Sequence, residues 1–322
     1  MVSRLCAKYV NTAVLALLLV SLFSACRSAA NVNSNTVSEP LRPMRIVTDD
    51  LDRKITIPVK VTRVVSLAPN LTESIFAVGA GERLVGVTTF CNYPEQAKEI
   101  AKIGDTMTPN MESIIALKPD VVFVSTASQI ENFMRTLEAN GIAVYVTDPT
   151  DLSQVFNIIR TLGDILGTGD MASRVADDLE LRVAAVKAAL SDLPQSGPMQ
   201  LDDGRVRTFV QISREPLFTI GSGSFLNQLV AAAGGTSATG DIPSAYPKIS
   251  KETAIALRPG AIILSDSPDN KEPNEAFKNS YAVKEGRIYK VSADLLSRPG
   301  PRLVDALEQI ARALHPQKFR NN

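Results

Sequence analysis

The sequence predicts an α/β protein with two Rossmann-like α/β lobes joined by a single long linking helix and preceded by an N-terminal hairpin. Three observations lead to this fold class. Short apolar runs alternate with amphipathic segments in both halves of the chain, as in parallel sheets covered by helices. A ten-residue pattern occurs once in each half. A long amphipathic stretch, 151–192, interrupts the alternation between the halves and contains a helix of about 20 residues, or about 30 Å.

The repeated pattern comprises residues 110–119 and 250–259, which are identical at five of ten positions and lie 140 positions apart. Each copy begins with Asn or Ser, whose side chain can cap a helix. Each carries a glutamate, Glu112 or Glu252, where a negative charge stabilises the helix N-terminus. Each ends in Leu-basic-Pro, which stops a short helix before an apolar strand. The duplication predicts one such helix, with one such carboxylate, in each lobe.

The N-terminus predicts an export signal. Arg4 and Lys8 precede an apolar run, Val10 to Phe23, that is shorter than the ~20 residues of a membrane-spanning helix. The small residues before Cys26 resemble a bacterial lipobox, although Phe23 stands where leucine is usual. We expect lipidation at Cys26, with cleavage by ordinary signal peptidase as the alternative.

The remaining elements follow from apolar periodicity and turn residues. Strands are expected at 61–67, 84–88, 121–124, 143–146, 206–212, 261–264 and 288–291, after a hairpin of 45–48 and 54–57. Helices are expected at 72–78, 111–117, 129–140, 152–162, 170–190, 221–233, 250–257 and 302–314. The expected divisions are a signal peptide 1–26, a flexible tether 27–43, an N-terminal lobe 44–150, linking helices 151–194 and a C-terminal lobe 195–322.

Composition limits the function. Lys+Arg and Asp+Glu both number 34, which argues against a general nucleic-acid binder. The sequence has one histidine, His315, so it cannot supply a site with several histidine ligands, and a Ser-His-Asp triad would have to use this residue. Cys91 alone would remain after signal removal, so no intrachain disulfide is expected. We therefore expect no enzyme, no catalytic residue and no metal site.

Five segments resemble the cobalamin/iron-chelate class of periplasmic substrate-binding proteins, the helical-backbone type that serves ABC importers. They are 64–73, 85–88, 92–94, 117–122 and 297–302. The resemblance covers about 44–315 and implies a periplasmic-binding domain over 63–315, with the ligand between the lobes. It also implies partners, an ABC permease dimer with its ATPase, that dock on a glutamate of each lobe. The matching positions are Glu112 and Glu252.

The resemblance implies a corrinoid ligand, with a ferric siderophore or haem as alternatives. The implied cleft residues are Phe90, Thr106, Ser125, Arg214, Phe218, Tyr246, Asp294 and Arg298. Corrinoid binders surround the macrocycle with aromatic side chains that include tryptophans, and this sequence has no tryptophan. Asp294 and Arg298 could instead form a loop ion pair, and Arg214 and Arg302 could attract an anionic siderophore or haem propionates. For haem, Tyr93 is available as an axial ligand but belongs to a motif that looks structural.

The expected location is the periplasm or cell surface, with the membrane reached through the lipid anchor. We expect no cofactor, because the ligand is itself a metal chelate. A sensor or adhesin lipoprotein without a transport role is the remaining alternative.

Overall fold

The computed structural model describes residues 42–126, 131–193 and 204–319, and the residues from Pro43 onward belong to one compact unit. The expected signal peptide, Cys26 and nearly all of the expected tether lie outside the described residues. No helix within the described ranges combines the length and the apolar character that crossing a membrane requires.

The N-terminal lobe contains an antiparallel hairpin and a four-stranded parallel sheet. The hairpin strands are β1 (Met44–Thr48) and β2 (Lys54–Pro58), and the sheet strands are β3 (Val64–Ser66), β4 (Leu84–Val87), β5 (Val121–Ser125) and β6 (Ala143–Thr147). The helices are α1 (Pro69–Ala77), α2 (Met111–Ala116) and α3 (Glu131–Ala139). Buried apolar residues cover both faces of the sheet, as expected for parallel strands.

Two linking helices follow, α4 (Leu152–Leu166) and α5 (Gly169–Ala189), and the C-terminal lobe comes after them. Its parallel strands are β7 (Val206–Gln211), β8 (Gly235–Ser237), β9 (Ala261–Asp266) and β10 (Ile288–Ser292). Its helices are α6 (Phe225–Ala232), α7 (Lys251–Leu257), α8 (Tyr281–Lys284), α9 (Ala293–Ser297) and α10 (Leu303–Leu314).

The two sheets have the same strand order. It is β4-β3-β5-β6 in the N-terminal lobe and β8-β7-β9-β10 in the C-terminal lobe. In each sheet the first strand in the chain lies between the second and the third, and the fourth is at the edge. The repeated helices, α2 and α7, both precede the third strand. The ten-residue repeat therefore marks equivalent places in two lobes of one topology.

Helix α5 connects the lobes, and its 21 residues span about 30 Å. On one side Asp177 of α5 pairs with Arg160 of α4 at 2.7 Å. On the other side Arg182 of α5 pairs with Asp305 of α10 at 2.6 Å. Beneath these ion pairs, one continuous apolar cluster runs from the N-terminal lobe through α4 and α5 into the C-terminal lobe. The predicted linking helix thus belongs to a core that both lobes share.

Some boundaries differ from the sequence prediction. Helix α1 begins at Pro69, three residues before the predicted start at Thr72. Proline suits the first helical position because its missing N–H would have no partner there. Strand β3 covers 64–66 instead of 61–67. Helix α6 begins at Phe225, since Ser224 is its N-cap. The short elements β8, α8 and α9 were not predicted, because three to five residues carry too little periodicity.

Candidate functional site

A cavity of about 440 Å³ opens between the lobes, and both lobes line it. The N-terminal lobe contributes residues at the carboxyl ends of its strands, where open α/β sheets place their ligands. These residues are Ala68, Pro69, Asn70, Phe90, Thr106, Ser125, Thr126, Asp148 and Pro149. The C-terminal lobe contributes Phe225, Tyr246, Asp294, Ser297, Arg298 and Pro299.

Six of the eight cleft residues named from the sequence lie in this lining. They are Phe90, Thr106, Ser125, Tyr246, Asp294 and Arg298. Arg214 and Phe218 are not among the lining residues. Arg214 pairs with Glu272 at 3.6 Å, and the backbone of Phe218 bonds to that of Ser213 and Ile212. A ligand contact of any of the eight stays a prediction.

Aromatic side chains occur on both walls of the cavity. Phe90, from the N-terminal lobe, is 56% exposed, and Tyr246, from the C-terminal lobe, is 44% exposed. Phe225 adds a third ring at the start of α6, where the Ser224 hydroxyl accepts a hydrogen bond from the Leu226 N–H at 3.3 Å. Exposed rings of this kind offer flat apolar faces to a ligand. Phe225 was missed from the sequence, although the capped helix start that carries it was recognised.

An ion cluster joins the lobes beside the cavity. Glu73 of α1 has a side chain that is 2% exposed, and its Oε1 accepts hydrogen bonds from Arg298 at 2.8 Å and from Arg302 at 2.6 Å. Its Oε2 accepts a second bond from Arg302 at 2.8 Å. These bonds raise the pKa of Arg302. We call Glu73, Arg298 and Arg302 the interlobe cluster, since charge-assisted bonds of this geometry are strong and directional.

Arg298 is held by three further groups. It donates to Asn92 Oδ1 at 2.8 Å and to the Phe90 carbonyl at 3.3 Å, and it pairs with Asp294 at 2.7 Å. Asp294 and Arg298 therefore form the ion pair that was one of the two alternatives predicted from the sequence. Arg302 also covers the Tyr93 ring, with its guanidinium carbon 3.9 Å from the ring centroid.

The backbones of the two lobes also meet at Asn70 and Gly300. The Asn70 side-chain amide donates to the Pro299 carbonyl at 3.3 Å. A Cβ placed on Gly300 would lie only 3.2 Å from the Asn70 carbonyl oxygen. Glycine therefore suits this position, because a Cβ would require the Asn70 backbone to shift by a few tenths of an ångström.

The opposite part of the cavity wall is acidic. Asp148 follows β6, accepts a short hydrogen bond from the Thr126 hydroxyl, and donates from its backbone N–H to Asp50 Oδ2 at 2.8 Å. Burial raises the pKa of Asp50, and the charges of Asp49 and Asp148 add to that effect. Asp148 also lines an adjoining cavity of about 250 Å³, together with Asp50 and polar residues of α4.

The repeated glutamates lie outside the cavity lining. Glu112 and Glu252 are exposed in the first turns of α2 and α7. The caps form as predicted: Asn110 Oδ1 accepts from the Ser113 N–H at 2.9 Å, and Ser250 Oγ accepts from the Thr253 N–H at 3.1 Å. Hydrogen bonds from its own backbone and from the Ser250 hydroxyl lower the pKa of Glu252.

The two repeated helices also end alike. Lys118 and Arg258 both adopt left-handed backbone conformations, with φ of 47° and 44°. Arg63 Nε donates to the Leu117 carbonyl at 2.9 Å, and Arg207 Nε donates to the Leu257 carbonyl, also at 2.9 Å. These two arginines lie outside the ten-residue pattern, so the sequence comparison did not find them.

Other residues considered from the sequence lie away from the cavity. His315 is fully buried, and its Nε2 bonds to the Gly234 carbonyl at 2.9 Å. Cys91 is a buried free thiol, 3.1 Å from the Thr72 hydroxyl. Among the described residues, no group of three or more His, Cys, Asp or Glu side chains could hold a metal ion.

The chain resembles known proteins over most of its length. A sequence profile of the periplasmic binding protein family matches residues 64–295. The uncharacterized ABC transporter substrate-binding lipoprotein YvrC of Bacillus subtilis (strain 168) is 31% identical over 311 residues, which are 94% of this chain and 96% of the relative.

Two solved structures share the fold. The periplasmic vitamin B12 binding protein BtuF of Vibrio cholerae is 26% identical, with a TM-score of 0.68 over 82% of this chain and 100% of that chain. The periplasmic haem-binding protein RhuT of Roseiflexus sp. RS-1, in apo form, is 25% identical, with a TM-score of 0.69 over 80% of this chain and 99% of that one. The family resemblance inferred from the sequence is thereby confirmed, and the chain belongs to the periplasmic binding protein family.

Proposed function

We propose that this protein is the extracytoplasmic substrate-binding component of an ABC importer and that it captures a corrinoid between its lobes. Family membership and the ABC-transporter relative over nearly the whole chain support a binding role in transport over a catalytic one. The vitamin B12 binding relative supports the corrinoid. The observation that carries the proposal is the cavity between the lobes, which has exposed aromatic rings on both walls.

The lining suits a large, flat, amide-rich ligand. Phe90 on one wall and Tyr246 on the other can pack against the faces or edges of a macrocycle. Asn70, Ser125 and Asp148 place amide, hydroxyl and carboxylate groups around the same space, where they can bond to amide side chains of a corrin ring. The metal arrives with the ligand, so the protein needs no cofactor of its own.

Titration of the purified protein with cyanocobalamin, followed by calorimetry and visible absorbance, tests this proposal. We expect saturable binding of one ligand per chain, and a loss of about tenfold or more in affinity for Phe90→Ala combined with Tyr246→Ala. Leu181→Ala is the matched control, because Leu181 is an exposed apolar residue on α5 away from the cavity.

The outcomes separate the ligands. If cyanocobalamin does not bind and haemin or a ferric siderophore does, the corrinoid assignment is wrong while the transport role stands. Haem is a specific alternative because Tyr246, a residue type that can coordinate haem iron, lines the cavity. If none of these chelates binds, the proposed function is overturned.

We further propose that Glu112 and Glu252 dock the protein on a permease dimer. Both carboxylates are exposed, each lobe supplies one, and each lies at the start of a helix that is capped and terminated in the same way. A protein with two equivalent surfaces can meet a twofold-symmetric partner through both. Glutamate–arginine contacts would orient and accelerate the encounter more than tighten it, which allows release after delivery.

Replacement of both glutamates tests the docking. We expect Glu112→Ala with Glu252→Ala to leave ligand affinity unchanged and to abolish uptake in cells. Glu95→Ala with Glu285→Ala is the matched control, since these two exposed glutamates lie elsewhere on the same lobes. Normal uptake by the first double variant would refute the docking role.

The lipid anchor is likewise a proposal, supported by the lipoprotein relative. Lipidation of Cys26 would hold the protein at the membrane, in the periplasm or at the cell surface. We expect the mature protein to partition with membranes and Cys26→Ala to be released or left unprocessed. A soluble wild-type protein that begins beyond Cys26 would instead indicate ordinary signal-peptidase cleavage.

A further inference from the structure

We infer that the cavity selects metal chelates without net negative charge and that Asp148 is a residue that sets this preference. The inference rests on the proposed function and adds to it the charge class of the ligand. It follows from an account of every charged group that lines the cavity within the described residues. Those groups are Asp148, Asp294 and Arg298.

Arg298, the one cation among the described lining residues, is already neutralised. The Arg298 side chain is 8% exposed, and its two terminal nitrogens contact Glu73, Asn92, Asp294 and the Phe90 carbonyl at 2.7–3.3 Å. Redirecting it to a ligand would leave the Glu73 carboxylate with a broken bond in a buried place, which is costly.

The negative charge of Asp294 is likewise compensated within the protein. One of its oxygens pairs with Arg298 at 2.7 Å, and the other accepts from the Asn92 amide at 3.2 Å. Glu73, Asp294, Arg298 and Arg302 together sum to zero, with two carboxylates and two guanidinium groups. This side of the cavity therefore offers a ligand polar groups but no uncompensated positive charge.

The uncompensated charge is negative and belongs to Asp148. It is half-buried, its carboxylate accepts from the Thr126 hydroxyl, and no basic side chain within the described ranges pairs with it. A second acidic residue lies beside it, since the Asp50 Oδ2 accepts from the Asp148 backbone N–H at 2.8 Å. The four residues after Thr126 are Ala, Ser, Gln and Ile, which are not ionisable types.

A half-buried like charge disfavours an anionic ligand because the site screens it less than water would. Propionates, as in haem, or a trianionic catecholate chelate would face Asp148, and the described lining residues offer no free cation to offset it. A neutral corrinoid would avoid this repulsion, and its amide N–H groups could donate to Asp148. A cationic corrinoid or a cationic ferric hydroxamate would be attracted.

Two ligand pairs separate charge from chemistry. In the tetrapyrrole-like pair, neutral cyanocobalamin is compared with haemin, which carries two propionates. Cationic aquocobinamide serves as a further corrinoid of different charge. In the siderophore pair, cationic ferrioxamine B is compared with trianionic ferric enterobactin. We expect the neutral or cationic member to bind at least about tenfold tighter than the anionic member in the pair that the cavity accepts.

Asp148→Asn tests the assigned residue, since the amide keeps an acceptor for Thr126 and removes the charge. We expect Asp148→Asn to reduce the ratio of affinities between the neutral or cationic chelate and the anionic chelate by about tenfold. This ratio should also depend less on salt concentration in the variant. Asp170→Asn, an exposed change at the start of α5, should leave the preference as it is. A circular-dichroism melt of each variant checks that it is folded.

Three outcomes would contradict different parts of the inference. Tighter binding of haemin or ferric enterobactin than of the uncharged and cationic chelates overturns the inference but leaves a chelate-binding role intact. If Asp148→Asn does not alter the charge preference, Asp148 is not the residue that sets it. Failure of every chelate to bind overturns the proposed function and this inference together.

Discussion

Loss of the Glu73 charge from the interlobe cluster should destabilise the protein strongly, because it leaves buried guanidinium groups uncompensated, and Glu73→Gln tests this. The substitution keeps the size of the side chain and removes its charge. Arg298 and Arg302, whose side chains are 8% and 21% exposed, would then lose the carboxylate that accepts three of their hydrogen bonds. The variant protein would hold two guanidinium groups at the lobe interface with only Asp294 to offset them.

The expected loss is about 3–5 kcal/mol in the free energy of unfolding, the range found when one partner of a buried ion pair is removed. For a protein of this size, that loss corresponds to a decrease of roughly 6–10 °C in Tm. Because one apolar cluster runs through both lobes, we expect a single cooperative transition before and after the change.

Urea denaturation followed by circular dichroism measures this effect. Glu95→Gln is the matched control, since Glu95 is 81% exposed and pairs with Lys98 on the surface. Such a pair contributes about 0–1 kcal/mol. The reasoning would be refuted if Glu73→Gln lost no more stability than Glu95→Gln. A restored stability in Glu73→Gln combined with Arg302→Met would show that the uncompensated charge, rather than altered packing, caused the loss.

Burial lowers the pKa of His315 below its usual value, so unfolding exposes a more basic side chain; the free energy of unfolding should therefore fall as pH drops below about 6.5. Urea melts at about pH 7.5 and about pH 5.5 should show this fall, and the fall should be smaller in His315→Asn. An equal pH dependence of the unfolding free energy in the wild-type protein and the variant would contradict a role for His315. Gly234→Ala should destabilise more than Gly141→Ala, since both have positive φ but only at Gly234 would a Cβ meet His315, 2.6 Å from its Nε2; equal losses would show that backbone strain alone acts. Ser250→Ala should cost about 1 kcal/mol in urea melts through loss of the α7 cap, and an unchanged stability would mean that the cap is dispensable. Ligand binding should change the lobe angle only slightly, because the lobes share one core, and a large compaction in solution scattering would contradict this.

The sequence was most informative where a local pattern determines the structure. The repeated helices at Glu112 and Glu252 were predicted because capping, length and termination depend on neighbouring residues. The long linking helix was predicted from periodicity alone. The family resemblance then located six residues of the cavity lining, because they stand at positions that align with the ligand cleft of the family.

Contacts between distant segments were not predictable in the same way. Glu73 and Arg302 both lie in segments noted for their resemblance, but they are 229 residues apart, and their pairing depends on how the lobes pack. Arg63 and Arg207 were missed for a similar reason. They bond to the ends of the two repeated helices from equivalent places in the fold, but they lie far from those helices in the sequence. Arg214 was expected near the cavity from its charge, and it instead pairs with Glu272.

The contact between Asn70 and Gly300 has a consequence for how this protein can diversify. A side chain at Gly300 would fit tightly against Asn70, so a substitution there would require this contact between the lobes, next to the interlobe cluster, to adjust. Substitutions at exposed lining positions such as Phe90 and Tyr246 should disturb this contact less. The fold thus places its more constrained positions at the contact between the lobes and its more tolerant positions along the exposed lining of the cavity.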